Sequence, residues 1–169
     1  MNDSPYSDAL VEWVALAGCG LRYYEDAWVT ETPGADLRCY LRTTNVHTFT
    51  QAERGDPESF LMSAIDMQDV ERYLTWWFSF DIRSSKHLPF TYFAWKIEDI
   101  HPGWTVSQFE GIWVLHDPTG HDRARFDGDH AIAFSWIADT DLESLRDSFL
   151  NPDGLPLFPG LWIGPPRTP

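Results

Sequence analysis

Apolar positions between residues 65 and 89 recur with the period of a helix. Met67, Val70, Tyr73, Leu74, Trp77 and Phe78 fall on one side, and Trp76 widens it. Gln68, Glu71, Arg72, Thr75 and Ser79 fall opposite. Asp66 is placed to cap the helix, Asp69 stands where the acid of a capping box would, and Ile65 with Val70 has the spacing of a hydrophobic staple. Asp81 would project into the apolar arc, so the helix is expected to end near Ser79 or Phe80. The arc covers roughly two-thirds of the circumference, more than the stripe of a surface helix. A helix of this kind is either sandwiched between two layers or presents Trp76 to a partner.

The flanking patterns are shorter. A first helix is expected over residues 4–20, starting at Ser4-Pro5 or Ser7, with Leu10, Trp13, Val14 and Ala17 on one side and Gly18 and Gly20 stopping it. LRYYEDAWVTE reads as strand, tight turn, strand, with Pro33-Gly34 punctuating the exit. Leu37, Cys39 and Leu41 alternate with Arg38, Tyr40 and Arg42, the signature of a half-buried strand. VHTFT continues extended into a polar loop at 51–58, and SFLMSAI is apolar enough for a buried strand.

Beyond Pro89, IWVLH and RARF form a hairpin across Asp117-Pro118-Thr119-Gly120, which has the residue order of a type I turn. Asp127-Gly128 marks another turn, into AIAFSWIA. There Ile132, Phe134 and Trp136 alternate with Ala131, Ala133 and Ser135, which reads as a strand in contact on both faces. Thr140-Asp-Leu-Glu143 fits a capping box opening a last helix with Leu142, Leu145 and Phe149 as its stripe. Six of the twelve prolines lie in residues 152–169. This tail is therefore expected to be extended, and its Leu155, Leu157, Phe158, Leu161 and Trp162 to hold it against the body. The order of elements indicates one α+β domain over residues 1–169, mostly antiparallel, with about three helices packed on the sheet.

At 169 residues with nine Trp the chain can bury a core without staples. Cys19 and Cys39 make no disulfide framework, no signal-peptide pattern opens the chain, and no apolar run approaches the ~20 residues of a membrane span. A cytoplasmic protein with reduced thiols is expected. The charge is more telling. Twenty-six acids face 12 bases, a net of −14, and residues 98–169 hold only four bases, Arg123, Arg125, Arg146 and Arg167. Such acidity disfavours nucleic acid and anionic membranes and favours a cationic partner.

The run HDPTGHDRARFDGDH gathers His116, His121 and several Asp, yet turn formation accounts for the Asp and Gly there, and the spacing matches no zinc or calcium motif. Neither a GxSxG elbow nor a phosphate-cradling glycine loop is present. No metal, cofactor or catalytic residue is expected.

Val70-Glu71-Arg72-Tyr73-Leu74, then Trp77-Phe78, Ile82-Arg83-Ser84 and Leu88-Pro89 resemble an actinobacterial immunity-protein family, the one that includes the antitoxin of the tuberculosis necrotizing toxin. Ala133-Phe134-Ser135, the helix after Asp141, and Asp153-Gly154-Leu155-Pro156-Leu157-Phe158 are similar to it too. The resemblance leads one to expect a Gly after the aromatic at the helix exit, and this chain departs from it with Ser79. The resemblance implies a cytosolic antitoxin that binds a toxin domain and blocks its NAD-cleaving site, with no chemistry of its own. The alternatives are an acidic chaperone or adaptor for an exported protein and an enzyme with a spatially assembled site. For partner binding the candidates are Glu53, Asp56 and Glu58 in one loop, Asp117, Asp127 and Asp129 in two turns, and Trp76.

Overall fold

A computed structural model describes residues 6–31 and 36–165. Helix α1 (Asp8–Leu16) is capped by Ser7, whose side chain accepts from the Leu10 N–H, and it buries Leu10, Trp13 and Val14. The alternative start at Ser4-Pro5 and the Pro33-Gly34 turn lie outside the described residues. Strands β1 (Gly20–Tyr24), β2 (Ala27–Glu31), β3 (Leu37–Thr43), β4 (His47–Glu53) and β5 (Ser59–Ala64) follow as an antiparallel meander. Part of the expected 51–58 loop therefore belongs to β4.

The long helix α2 (Met67–Ser85) leads to β6 (Tyr92–Phe93) and then to β7 (Thr105–Phe109), β8 (Ile112–His116) and β9 (Asp122–Asp127). The eight-stranded sheet has the order β1-β2-β3-β4-β5-β9-β8-β7, so the second meander closes onto β5 through β9. The hairpin at Asp117 forms as the turn chemistry predicts, with the Gly120 N–H donating to the Asp117 carbonyl at 2.9 Å. The mostly antiparallel α+β architecture is the one expected from the order of elements.

Among the described residues there are four α-helices, the three expected and one more. The stretch AIAFSWIA is not a strand: α3 (His130–Ser135) carries most of it. Ala131, Ile132, Ala133 and Phe134 are all fully buried, so no polar position marks a helical period, and alternation of large with small residues mimicked a strand. Helix α4 (Leu142–Leu150) starts one residue later than a cap at Thr140 would require. Asp141 is the cap, accepting from Ser144 N–H at 2.9 Å. Leu145 and Phe149 of its stripe are buried.

Helix α2 organises the packing. It lies on β4 and β5 with one side and meets α1 and α4 with the other. Asp66 caps it through the Gln68 N–H at 2.9 Å, as its position predicts. Three expectations for its ends fail. Ile65 is 72% exposed and forms no staple with the buried Val70. Asp69 turns inward and is not part of a capping box. The helix runs past Ser79 and Phe80 to Ser85, because Asp81 sits at the rim of a cavity and needs no place in the core.

Apart from the exposed Gln68, the supposed polar face of α2 is buried, and hydrogen bonds satisfy most of it. Ser7 donates to Glu71 from its N–H at 2.7 Å and its hydroxyl at 2.9 Å. The Arg72 Nε donates to the Thr140 carbonyl at 2.8 Å, and Trp13 Nε1 to the Thr75 carbonyl at 3.0 Å. About two turns beyond Thr75, the wholly buried Arg83 donates to the carbonyls of Phe149, Asn151 and Pro152, tying the end of α4 to α2. Of the two placements open to such a helix, the structure shows the sandwiched one. Trp76, proposed for a partner, is 2% exposed and belongs to the core.

The C-terminal segment returns along the body through a 3₁₀ turn at Pro159–Leu161 and β10 (Trp162–Ile163), which pairs in parallel with β6. Phe158 and Ile163 are buried. Gly164 permits the approach: a Cβ there would stand 2.8 Å from the Ala94 methyl and 2.9 Å from the Trp162 indole nitrogen.

Candidate functional site

Strand register divides the sequence-derived candidates between the two ends of the sheet. One end carries the connection from Thr43 to His47, Ala64 and the turn at Asp117. The other carries Leu37 beside Glu53, the hairpin between Phe109 and Ile112, and Asp127 beside Ile112. Asp117 is thus separated from Glu53, Asp127 and Asp129.

Two of the acids are already engaged. Asp117 accepts from the Thr119 N–H, the Thr119 hydroxyl and the His121 N–H, and these bonds hold its carboxyl below the usual carboxylate range. Glu58 receives both guanidinium nitrogens of Arg42, at 2.6 and 2.9 Å, together with the Thr50 hydroxyl, so its pKa is lowered and its charge matched internally. Glu53, Asp56 and Asp127 are exposed, and Asp129 is half-buried at the start of α3. His116 and His121 complete turn contacts: His116 Nδ1 lies 3.0 Å from Asp122, and His121 Nδ1 lies 2.7 Å from the Thr119 hydroxyl. Among the described residues no three His, Cys, Asp or Glu side chains converge as a metal site would require.

The end with Asp127 and Asp129 holds what the pattern of residues did not suggest. In residues 90–97 the ordinary burial order is inverted. Thr91 and Ala94 are buried, while Phe90, Tyr92 (63%), Trp95 (58%) and Ile97 face solvent. Tyr92, Phe93, Trp95, Trp162 and Asp129 line a broad depression over the β6–β10 pair. A second cavity of about 340 Å³ adjoins it through Phe93 and is lined by Leu37, Trp76, Trp77, Phe80, Asp81 and His130. Its rings are mutually packed. The Trp76 ring centroid stands 5.1 Å from His130 and 5.2 Å from Phe93, edge to face in both pairs. His130 Nδ1 lies 2.8 Å from the Tyr73 hydroxyl, and burial lowers its pKa against the opposing pull of Asp129 and Asp127.

Exposed Trp and Tyr beside unpaired acids form the kind of surface that anchors a protein partner, since aromatic groups supply most of the energy of such contacts. Among the described residues no nucleophile is poised on a base at this end. Cys19 and Cys39 are buried free thiols, and burial pushes the Cys39 thiol up to about 12. Of the residues singled out from the sequence, Asp127, Asp129 and the buried floor residue Trp76 come together at this end; Phe90, Tyr92, Trp95, Asp81 and His130 were missed. The only sequence signal for them was the density of aromatics after Pro89.

The family model for Immunity protein 61 matches residues 13–157, most of the chain. The chain belongs to the Immunity protein 61 family. Two similar proteins are described as "Immunity factor for TNT" from Mycobacterium tuberculosis and "Immunity factor for TNT homolog" from Mycobacterium bovis. Each is 26% identical over 165 residues, covering 92% of this chain and 93% of its own. Among solved structures, "Rv3902c from M. tuberculosis" superposes with a TM-score of 0.83 at 23% identity, over 93% of this chain and 95% of that one, which is a likeness of fold. The resemblance carried by the α2 motifs, Val70 to Leu74 and Ile82 to Pro89, therefore holds at the level of the family. The Ser79 departure leaves the helix intact: Ser79 is fully buried and its hydroxyl donates to the Trp76 carbonyl at 2.6 Å.

Proposed function

We propose that this Immunity protein 61 member is an antitoxin. It binds one cognate, NAD-cleaving toxin domain and blocks it by occupying its cleft, without catalysis, metal or cofactor. The observation that carries the reading is the aromatic, acid-bordered end of the molecule in a chain of net charge −14. That surface suits a protein partner carrying positive charge; it does not suit nucleic acid. The names of the mycobacterial relatives support an immunity role, and the resemblance supplies the target chemistry. No helix among the described residues is long and apolar enough to cross a membrane, which is compatible with action in the cytoplasm. Contact is made through Tyr92, Trp95 and Trp162 with Asp127 and Asp129; Glu53 and Asp56 at the same end are outlying members of the surface, and Glu58 and Asp117 stay with their internal partners.

Co-expression with the cognate toxin domain is the direct test, scored by survival and cellular NAD. Protection by the wild-type chain, and its loss when Tyr92 and Trp95 are both replaced by Ala without unfolding, is the expected result. Cell death with NAD depletion despite a folded wild-type chain would refute the proposal.

A further inference from the structure

Asp81, at the rim of the cavity beneath the aromatic surface, contrasts with the paired acids elsewhere on α2 and before β5. Asp69 is matched by Arg123 and Arg72, Glu58 by Arg42, and Glu71 by Ser7. Asp81, at the cavity rim, has no hydrogen-bond or ion-pair partner among the described residues. Its pKa is raised, and desolvation is the cause. Asp81 is exposed at the cavity mouth, so its carboxylate can be reached by a partner's charge, and it receives no counter-charge from the described residues.

The remaining wall is built from rings. Trp76, Trp77, Phe80 and Phe93 line it, with Leu37 closing one side. His130 also faces it but brings no positive charge at neutral pH, since burial lowers its pKa and the Tyr73 hydroxyl occupies Nδ1. Ring faces attract a cation through their quadrupole, and a carboxylate at the mouth adds Coulombic attraction. The volume, about 340 Å³, sits at the small end of ligand sites, roughly 300–1,000 Å³. It fits one long side chain better than a cofactor.

We propose that this cavity is the socket for a single arginine or lysine side chain of the bound toxin domain, its charge paired with Asp81 and its stem packed on Trp77, Phe80 and Phe93. The assignment rests on the antitoxin reading above. It gives the acidity of the chain a specific point of action, where a cation from the partner supplies the counter-charge that Asp81 lacks.

The test is the affinity of purified toxin domain for the wild-type chain and for Asp81→Asn and Phe80→Leu, with thermal melts of each. Asp81→Asn is expected to weaken binding about five- to thirtyfold. Its melting temperature should not fall, because Asp81 makes no internal bond, and Asp81→Glu should restore part of the affinity. Replacing the toxin's Arg and Lys one at a time by Gln should then reveal one position coupled to Asp81 in a double-mutant cycle. If the wild type binds while both variants bind within twofold of it, the socket is refuted and the antitoxin reading stands. If the wild type does not bind the toxin domain, both readings fall. Sub-millimolar binding of N-acetyl-arginine amide at Asp81, with toxin affinity indifferent to Asp81→Asn, would also overturn the socket and assign the cavity to a free small cation.

Discussion

The carboxylate of Asp69, on α2, is completely buried and is held by Arg123 from β9, whose Nη2 donates to Oδ1 at 2.9 Å. Arg72, one turn along the same helix, donates to the same oxygen at 3.1 Å. Burial raises the Asp69 pKa and the Arg123 guanidinium opposes that rise. The pair joins the first turn of α2 to the strand through which the second meander meets the first.

Removing one partner of a buried pair leaves the other uncompensated. Asp69→Ala is therefore expected to cost on the order of 3–5 kcal/mol, measured by denaturant unfolding. A cost below about 1 kcal/mol would mean that the site is well solvated and that the pair does not hold β9 to α2.

Packing on α2 gives a second expectation. Leu74 and Trp76 are each 2% exposed. Leu74→Ala should cost about 2–5 kcal/mol and Trp76→Ala about 3–5 kcal/mol. Trp77, half-buried at the cavity wall, should cost less than Trp76. The reverse order in chemical unfolding would show that the helix face is misassigned.

The division of acids between the two ends predicts a split in kinetics. Neutralising Asp127 and Asp129 together should slow association with the toxin domain several-fold at low salt, with the effect fading toward physiological ionic strength. Asp117→Asn, at the far end and tied into its own turn, should leave the on-rate unchanged. Stopped-flow mixing at two salt concentrations decides this. Equal slowing by both changes would point to a diffuse field with no local surface.

His130 gives a pH dependence whose sign is determined. Its folded pKa lies below the ordinary 6.5, chiefly through burial, with Asp129 and Asp127 pulling the other way. The unfolded chain thus takes the proton first. The contribution of His130 to stability is complete above about pH 6.5 and declines as pH falls toward the lowered folded value. His130→Gln removes this component, so the difference in melting temperature between wild type and variant should shrink between about pH 8 and pH 5. A difference constant with pH would show that His130 does not titrate on unfolding.

Several features were legible from the residues alone because local physics decides them. The Asp66 cap, the type I turn opened by Asp117 and closed by Gly120, and the alternation of Leu37, Cys39 and Leu41 each depend on near neighbours. Together with the order of elements they determine an antiparallel α+β fold, and the α2 motifs carry the family. Tertiary structure decided what depends on partners far along the chain. Glu71, Arg72 and Arg83 look like a solvated face, yet distant groups at Ser7, Thr140, Phe149 and Asn151 satisfy them in the interior. In α3 total burial erased the polar positions that reveal a helical period. In residues 90–97 the return of β10 onto β6 buries Thr91 and Ala94 and leaves Tyr92 and Trp95 outside. Hydrophobicity along a chain records each residue's own cost of hydration. Which residue meets water, and which acid is left without a cation, is decided by the segments that fold back over it.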